Sequence, residues 1–269
     1  MRRPSRPACR TLILNRAATK RDIIIGGRGY LCVACLLLLL LSPISITAGE
    51  DQTKRPLDAF QANYSIEVSG ITVGKLSRQL QFDDSDRYIY HSESKTVGLA
   101  ALLKSNKTTE VATGTVVANQ IYPQQYDYQR EKSGKIKHEQ LRFDHQRNVV
   151  HTLRRGIEDT LPLQSASLDQ LSYQLQLMVD LLREETEFSY RILTAKKSKH
   201  YAAIVEKLET ISTGAGEFAT LRLSERENAT KTTTFWCAKS LGYLPVKVEI
   251  SDGDTTTTIV LEEYRANDA

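Results

Sequence analysis

The sequence predicts a mainly β protein: a large antiparallel sheet curled into an open or half barrel, with one amphipathic helix packed on it. Three observations carry this. Apolar and polar residues alternate in segment after segment, the period of a strand with one face in water. Short turn signals separate the segments, so that neighbours in sequence run antiparallel. One stretch alone switches to the three- and four-residue spacing of a helix. A meander of about ten strands is too wide to stay flat and must twist or curl.

The first strand is the clearest, with Phe60, Ala62, Tyr64, Ile66 and Val68 on one face and Gln61, Asn63, Ser65 and Glu67 on the other. Leu76, Leu80 and Phe82 repeat the pattern, but Arg78 interrupts the apolar phase. It recurs over Tyr88 to Lys95, Ile121 to Arg130 and His138 to Phe143. After the helix it resumes in Phe188 to Leu193, Tyr201 to Leu208, Phe218 to Leu223, Thr232 to Cys237, Leu244 to Ile250 and Thr256 to Tyr264. The turn signals include Ser69-Gly70, Ser133-Gly134, Gly214-Ala215-Gly216 and Asp252-Gly253-Asp254.

The helix rests on Leu168, Leu171, Leu175, Met178 and Leu182, which share one face at helical spacing. Ser167 and Gln170 read as a capping box, and Asp169 in the first turn faces the positive end of the helix dipole. A lone amphipathic helix needs an apolar surface to cover, and the concave side of a curled sheet supplies one. Leu171, Leu175 and Met178, with Trp236, are the candidates to line an apolar cavity beneath it. A second, weaker helical segment is Val97 to Leu103.

Before the sheet lies a targeting segment. Basic residues up to Arg28 precede the apolar run Tyr30 to Leu41, and Ile46-Thr47-Ala48 offers a small-residue exit. This order predicts a signal peptide over residues 1–48, cleaved after Ala48, and a single β-rich periplasmic domain over 49–269. The rival reading is an uncleaved inner-membrane anchor over Tyr30 to Ala48, against which Pro43 and its flanking serines argue.

Of the 36 Lys and Arg and 32 Asp and Glu, the first 48 residues hold eight and one, leaving 28 basic and 31 acidic residues, a net of −3. The basic balance of the whole chain thus belongs to the targeting segment, and nucleic acid is excluded as a partner on charge. Cys9, Cys32 and Cys35 fall in the same segment. Cys237 alone remains, which precludes a disulfide framework within the domain and reads as a small buried hydrophobe.

Several of these residues resemble the family of exported bacterial proteins known as domain of unknown function 3108. The likeness is carried by Asp169-x-x-Ser172, Trp236-Cys237-Ala238, Gly242-Tyr243-Leu244-Pro245-Val246-Lys247-Val248, Tyr122-Pro123-x-x-Tyr126 and the stretch Leu57 to Gly74. It implies an exported, envelope-located protein of largely β architecture. It brings no catalytic residues, and Phe143-Asp144-His145 departs from the aromatic that family members often carry after a Phe-Asp pair.

No motif spells out a reaction. The histidines His91, His138, His145, His151 and His200 show no paired ligand spacing, although His145 and His151 could approach across a hairpin. No G-x-S-x-G nucleophile elbow occurs, and Asp169 and Ser172 read as a helix-start network rather than two members of a triad. Ser167, Asp169, Ser172, Trp236 and Pro245 are therefore expected to be structural, with no catalytic residues, metal or cofactor. The expected function is a non-enzymatic periplasmic protein that binds a lipid or other amphiphile. The alternative is an assembly factor docking on an envelope protein through a sheet edge, and a hydrolase comes last.

Overall fold

The computed structural model describes residues 55–267, apart from 86, 104 and 227–229. The targeting segment and its cleavage site lie outside the described residues. Fifteen strands form a single sheet. The first eight are β1 Phe60–Val68, β2 Ile71–Phe82, β3 Arg87–Thr96, β4 Asn106–Val117, β5 Gln120–Lys132, β6 Lys135–Asp144, β7 Val149–Arg154 and β8 Ile157–Pro162, with the short helix α1 Gly98–Leu103 between β3 and β4. Then come β9 Ser167–Leu168, the helix α2 Ser172–Leu182, β10 Glu187–Leu193, β11 Ser198–Thr213, β12 Gly216–Arg226, β13 Lys231–Ala238, β14 Leu244–Asp252 and β15 Thr255–Ala266.

The spatial order is β8 to β1, then β15 down to β9. The chain meanders outward to one edge and returns from the other, so that its first and last strands meet mid-sheet, from Phe60 opposite Ala266 to Val68 opposite Thr257. Among the described residues only β9 and β10 run parallel. The two edges are consecutive in sequence yet unpaired with each other, leaving the sheet open rather than closed into a barrel. Register shifts at Asn63/Tyr64, Ile66/Glu67, Thr113/Gly114, Val205/Lys207 and Trp236/Cys237 add the local bends that let so wide a sheet curl.

The α2 helix shows how far it curls. Ser172 at its start meets Tyr88 of β3, Gln176 meets Gln120 and Ile121 of β5, and Asp180 accepts from Tyr190 of β10, 2.7 Å away. One helix thus touches strands from both halves of the sheet. Ser172, Leu175, Gln176, Leu177, Met178, Val179 and Leu181 are all buried, a wider band than the single stripe the spacing predicts. Gln176 makes this tolerable: its side-chain oxygen accepts from the Ile121 N–H at 2.7 Å and its amide donates to Asp180 at 2.8 Å.

The helix also starts later than predicted. Ser167 and Leu168 pair with Arg191 and Ile192 as β9, so the residues read as a cap and first turn are taken into the sheet. No side chain caps α2 at Leu171, the residue before its first turn, and the buried Ser167 hydroxyl has no partner among the described residues. Asp169 does the work assigned to the capping box, its Oδ1 accepting the N–H groups of Leu171 and Ser172 at 2.8 Å.

β4, β7, β8 and β9 escaped the alternation rule. The inward positions of β4 include Glu110, Ala112 and Gly114, which have no apolar rhythm, and β8 is an edge strand with exposed residues at five of its six positions. The Gly242-Tyr243 pair explains itself: both residues have left-handed φ, +61° and +62°, and the Tyr243 N–H closes the β13–β14 connection on the Ala238 carbonyl at 2.8 Å. Pro245 lies opposite Cys237 where the register shifts, a bulge that accommodates a residue without an N–H.

Candidate functional site

Strand register builds the site, because residues facing each other across a ladder share one side of the sheet. Leu80, Tyr90, Ala112, Tyr126 and Leu141 stand opposite one another in turn from β2 to β6, and all are buried. Two residues along, the same face carries Arg78, Ser92, Glu110, Tyr128, Glu139 and Arg154 from β2 to β7. The concave surface therefore changes from an apolar row to a polar row within one pleat. Arg154 donates to Glu139 at 3.0 Å, and Tyr126 donates to Glu110 at 2.5 Å.

Glu110 is held above the ordinary carboxylate range by burial, opposed by the Tyr126 hydrogen bond and the Arg78 charge. Burial pulls Arg78 down, yet the neighbouring Tyr90 and Tyr64 hydroxyls leave it above its ordinary value, so it is a permanent cation. It hydrogen-bonds Tyr90 and lies 5.8 Å from the centre of the Tyr64 ring. Its Nε, the Tyr64 hydroxyl and the Tyr201 hydroxyl are buried without a hydrogen-bond partner among the described residues.

Deeper in, the start of α2 holds a second polar network. Asp169 is fully buried, and its carboxyl is pushed up to about 6, chiefly by desolvation and against the hydrogen bonds from Ser172. The Ser172 hydroxyl donates to Asp169 Oδ2 at 2.5 Å and lies 2.8 Å from the Tyr88 hydroxyl. A serine held this way is fully buried, and its hydroxyl is engaged by Asp169 and Tyr88. The group serves as a joint between helix and sheet.

A cleft of about 630 Å³ opens between the first turn of α2 and the concave sheet. Its lining includes Arg78, Glu110, Tyr173 and Tyr201, and from β13 to β15 Phe235, Val248, Ile250 and Ile259, with Glu225, Lys231 and Thr233 from β12 and β13 beside them. The cleft is thus amphiphilic, combining charged groups with aliphatic surface.

The four residues expected to line a cavity lie elsewhere. Leu171, Leu175 and Met178 are buried in the core, and it is Tyr173 and Gln174 of the same helix that reach the cleft. Trp236 points away from it: opposite Arg222 and Lys247 in register, it donates to Glu209 at 2.5 Å, and the Lys247 ammonium lies 4.5 Å from its ring centre. Alternation along β13 puts its neighbour Phe235, not Trp236, on the concave side. Arg78 and Glu110 were not foreseen, although an arginine inside the apolar phase of a strand was a visible signal.

The remaining candidates are separated. His145 hydrogen-bonds the Pro123 carbonyl at 2.7 Å and stacks on Phe143, while the exposed His151 stands opposite Arg142. Burial pushes the Cys237 thiol up, as befits a core residue. Among the described residues no helix is long and apolar enough to cross a membrane.

Comparison with known proteins supports this architecture. The chain is similar to a β-barrel-like protein of domain of unknown function DUF1849 from Brucella abortus, with 9% identity and a TM-score of 0.57 over 79% of this chain and 99% of that one. Weaker likenesses are a candidate lipoprotein of Parabacteroides distasonis, with 13% identity and a TM-score of 0.31 over 78% of this chain and 96% of that one, and a candidate exported protein with a YmcC-like fold from Bacteroides fragilis, with 8% identity and a TM-score of 0.32 over 77% and 96%. No curated protein matches. The model of the family described as "Protein of unknown function (DUF3108)" matches residues 61–261, and the chain belongs to that family.

Proposed function

We propose that this protein is a non-enzymatic binding protein of the periplasm that holds an amphiphile in the cleft, its acceptor-rich head at Arg78 and its apolar portion against Phe235, Val248, Ile250 and Ile259. The observation that carries this reading is that the cleft lining combines Arg78 and Glu110 with the aliphatic side chains of Val248, Ile250 and Ile259. Two buried polar groups of its lining, Arg78 Nε and the Tyr201 hydroxyl, lack partners among the described residues, and an unmet buried donor favours a ligand that supplies an acceptor. The volume lies within the range of about 300–1,000 Å³ usual for small-molecule sites. Each methylene taken out of water adds about 0.8 kcal/mol, so a medium-length chain would suffice for tight binding.

The test is native mass spectrometry of protein purified from the cell envelope, with titration by a fluorescent fatty acid. A bound amphiphile is expected to copurify. Ile259→Trp, which fills the aliphatic side, and Arg78→Met, which removes the cation, are each expected to weaken binding about tenfold or more. Absence of any copurifying amphiphile together with no fatty-acid binding would overturn the proposal. A second reading, docking on an envelope protein by strand addition, is favoured by the unpaired edge of β8. Crosslinking in intact cells to a stable protein partner through β8 would support it.

A further inference from the structure

In an antiparallel meander alternate turns emerge at the same end of the sheet. The β1–β2, β3–β4, β5–β6, β7–β8, β10–β11 and β14–β15 connections therefore share one end. The cleft reaches this end, where Lys197, Ser198 and Lys199 contribute to its lining.

The same end exposes large apolar side chains. Ile71 beside the first turn is 69% exposed, Leu99 and Leu102 of α1 are 79% and 82%, Ile136 is 66% and Ile157 is 70%. Each lies on a different hairpin except the two on α1. A soluble surface tolerates single exposed aliphatics, but a set gathered at the tips of four successive hairpins marks an interaction surface. Basic residues are interleaved with them: Lys135 and Lys137 flank Ile136, Arg155 lies two residues before Ile157, and Lys196 and Lys197 occupy the β10–β11 turn, all exposed. Exposed acids share this end, Glu131 opposite Ile136, Glu158 and Asp159 beside Ile157, and Asp252 and Asp254 in the β14–β15 turn, but the further exposed bases Lys95, Lys107 and Lys199 leave it net basic.

We propose that this hairpin end docks on a phospholipid bilayer bearing anionic headgroups, its aliphatic tips entering the interface while the lysines and arginines meet phosphate. Charge complementarity selects this occupant, because a second copy of the same face would set like charge against like. Docking would turn the lysine-lined side of the cleft toward the bilayer. The inference goes beyond ligand binding and stands without it.

A reporter placed at a tip tests this in the full chain. Leu102 is exposed, so Leu102→Trp should leave the fold unchanged, and its signal is read as the difference from the wild-type chain, whose single tryptophan, Trp236, is buried. The new indole's emission is expected to shift to the blue on vesicles in which about a third of the lipid is phosphatidylglycerol, and to return in about 0.5 M salt. Adding Lys135→Glu, Arg155→Glu and Lys197→Glu is expected to weaken the response at least about tenfold, since each charge contributes roughly a fivefold factor near an anionic surface. No shift on phosphatidylglycerol vesicles, or an equal shift on pure phosphatidylcholine, overturns the docking proposal. Fatty-acid binding that persists in a chain without vesicle response would overturn docking alone, whereas vesicle response without fatty-acid binding would overturn only the carrier reading.

Discussion

Asp169 is a carboxyl group buried at the junction of helix and sheet, with a hydroxyl and two backbone N–H groups for partners and no cation among them. Its folded value of about 6 stands above the ordinary aspartate value of 3.8. The acid form is therefore the better tolerated, so the stability this group contributes is complete below about pH 4 and is lost as pH rises through 6. A difference of about two pH units corresponds to about 3 kcal/mol at neutral pH. Asp169→Asn keeps an oxygen for the two N–H groups but cannot ionise. Urea unfolding of both chains from pH 4 to 8 should show the wild type losing about 1–3 kcal/mol relative to the variant, mostly between about pH 4 and 6 and levelling off above. A difference that does not vary with pH would show that Asp169 does not titrate in this window. That Asp169 and Ser172 form a helix-start network was legible from their spacing beside the apolar face that begins at Leu168. The depth of Asp169 was not, because burial depends on β3 and β4 closing over it.

At the scale of elements, α2 is held by matched side chains on several strands, and the fit is tight where Tyr88 crosses β4. A methyl group on Gly114 would collide with the Tyr122 carbonyl and come within 2.7 Å of the Tyr88 hydroxyl. Since that hydroxyl is bonded to Ser172, the tyrosine cannot move aside without releasing the helix. Gly114→Ala is expected to destabilise the protein by about 3 kcal/mol or more, read as a fall in thermal midpoint. Gly70→Ala provides the comparison, where the left-handed backbone matters and nothing lies within 4 Å; its cost should be smaller, about 1 kcal/mol. The short helix α1 was anticipated from Val97 to Leu103, and its Leu99 and Leu102 turn out to face water rather than a core. Periodicity identifies a helix without saying which surface, if any, receives it.

At the scale of the molecule, the two free edges decide where the sheet opens. β8 pairs on one side only and most of its residues are exposed, whereas β1 lies between β2 and β15 at the centre. Amide hydrogen exchange should be fastest in β8 and slowest in β1 and its two neighbours, because an edge ladder opens without disturbing the core. Equal protection in β8 and β1 would indicate that β8 is covered by another element in solution. The sequence by itself determined the class of the protein: alternation, turn residues and one helical segment dictate an antiparallel, curled sheet with a buried helix. These are properties of neighbours along the chain, and they need no partner distant in sequence. Only the tertiary structure decided that β1 and β15 meet, that Arg78 and Glu110 enter the same polar row, and that Trp236 faces away from the cleft while Phe235 lines it. Each follows from strand register and curvature, which bring together residues far apart in sequence and choose, for every strand, the face that turns inward.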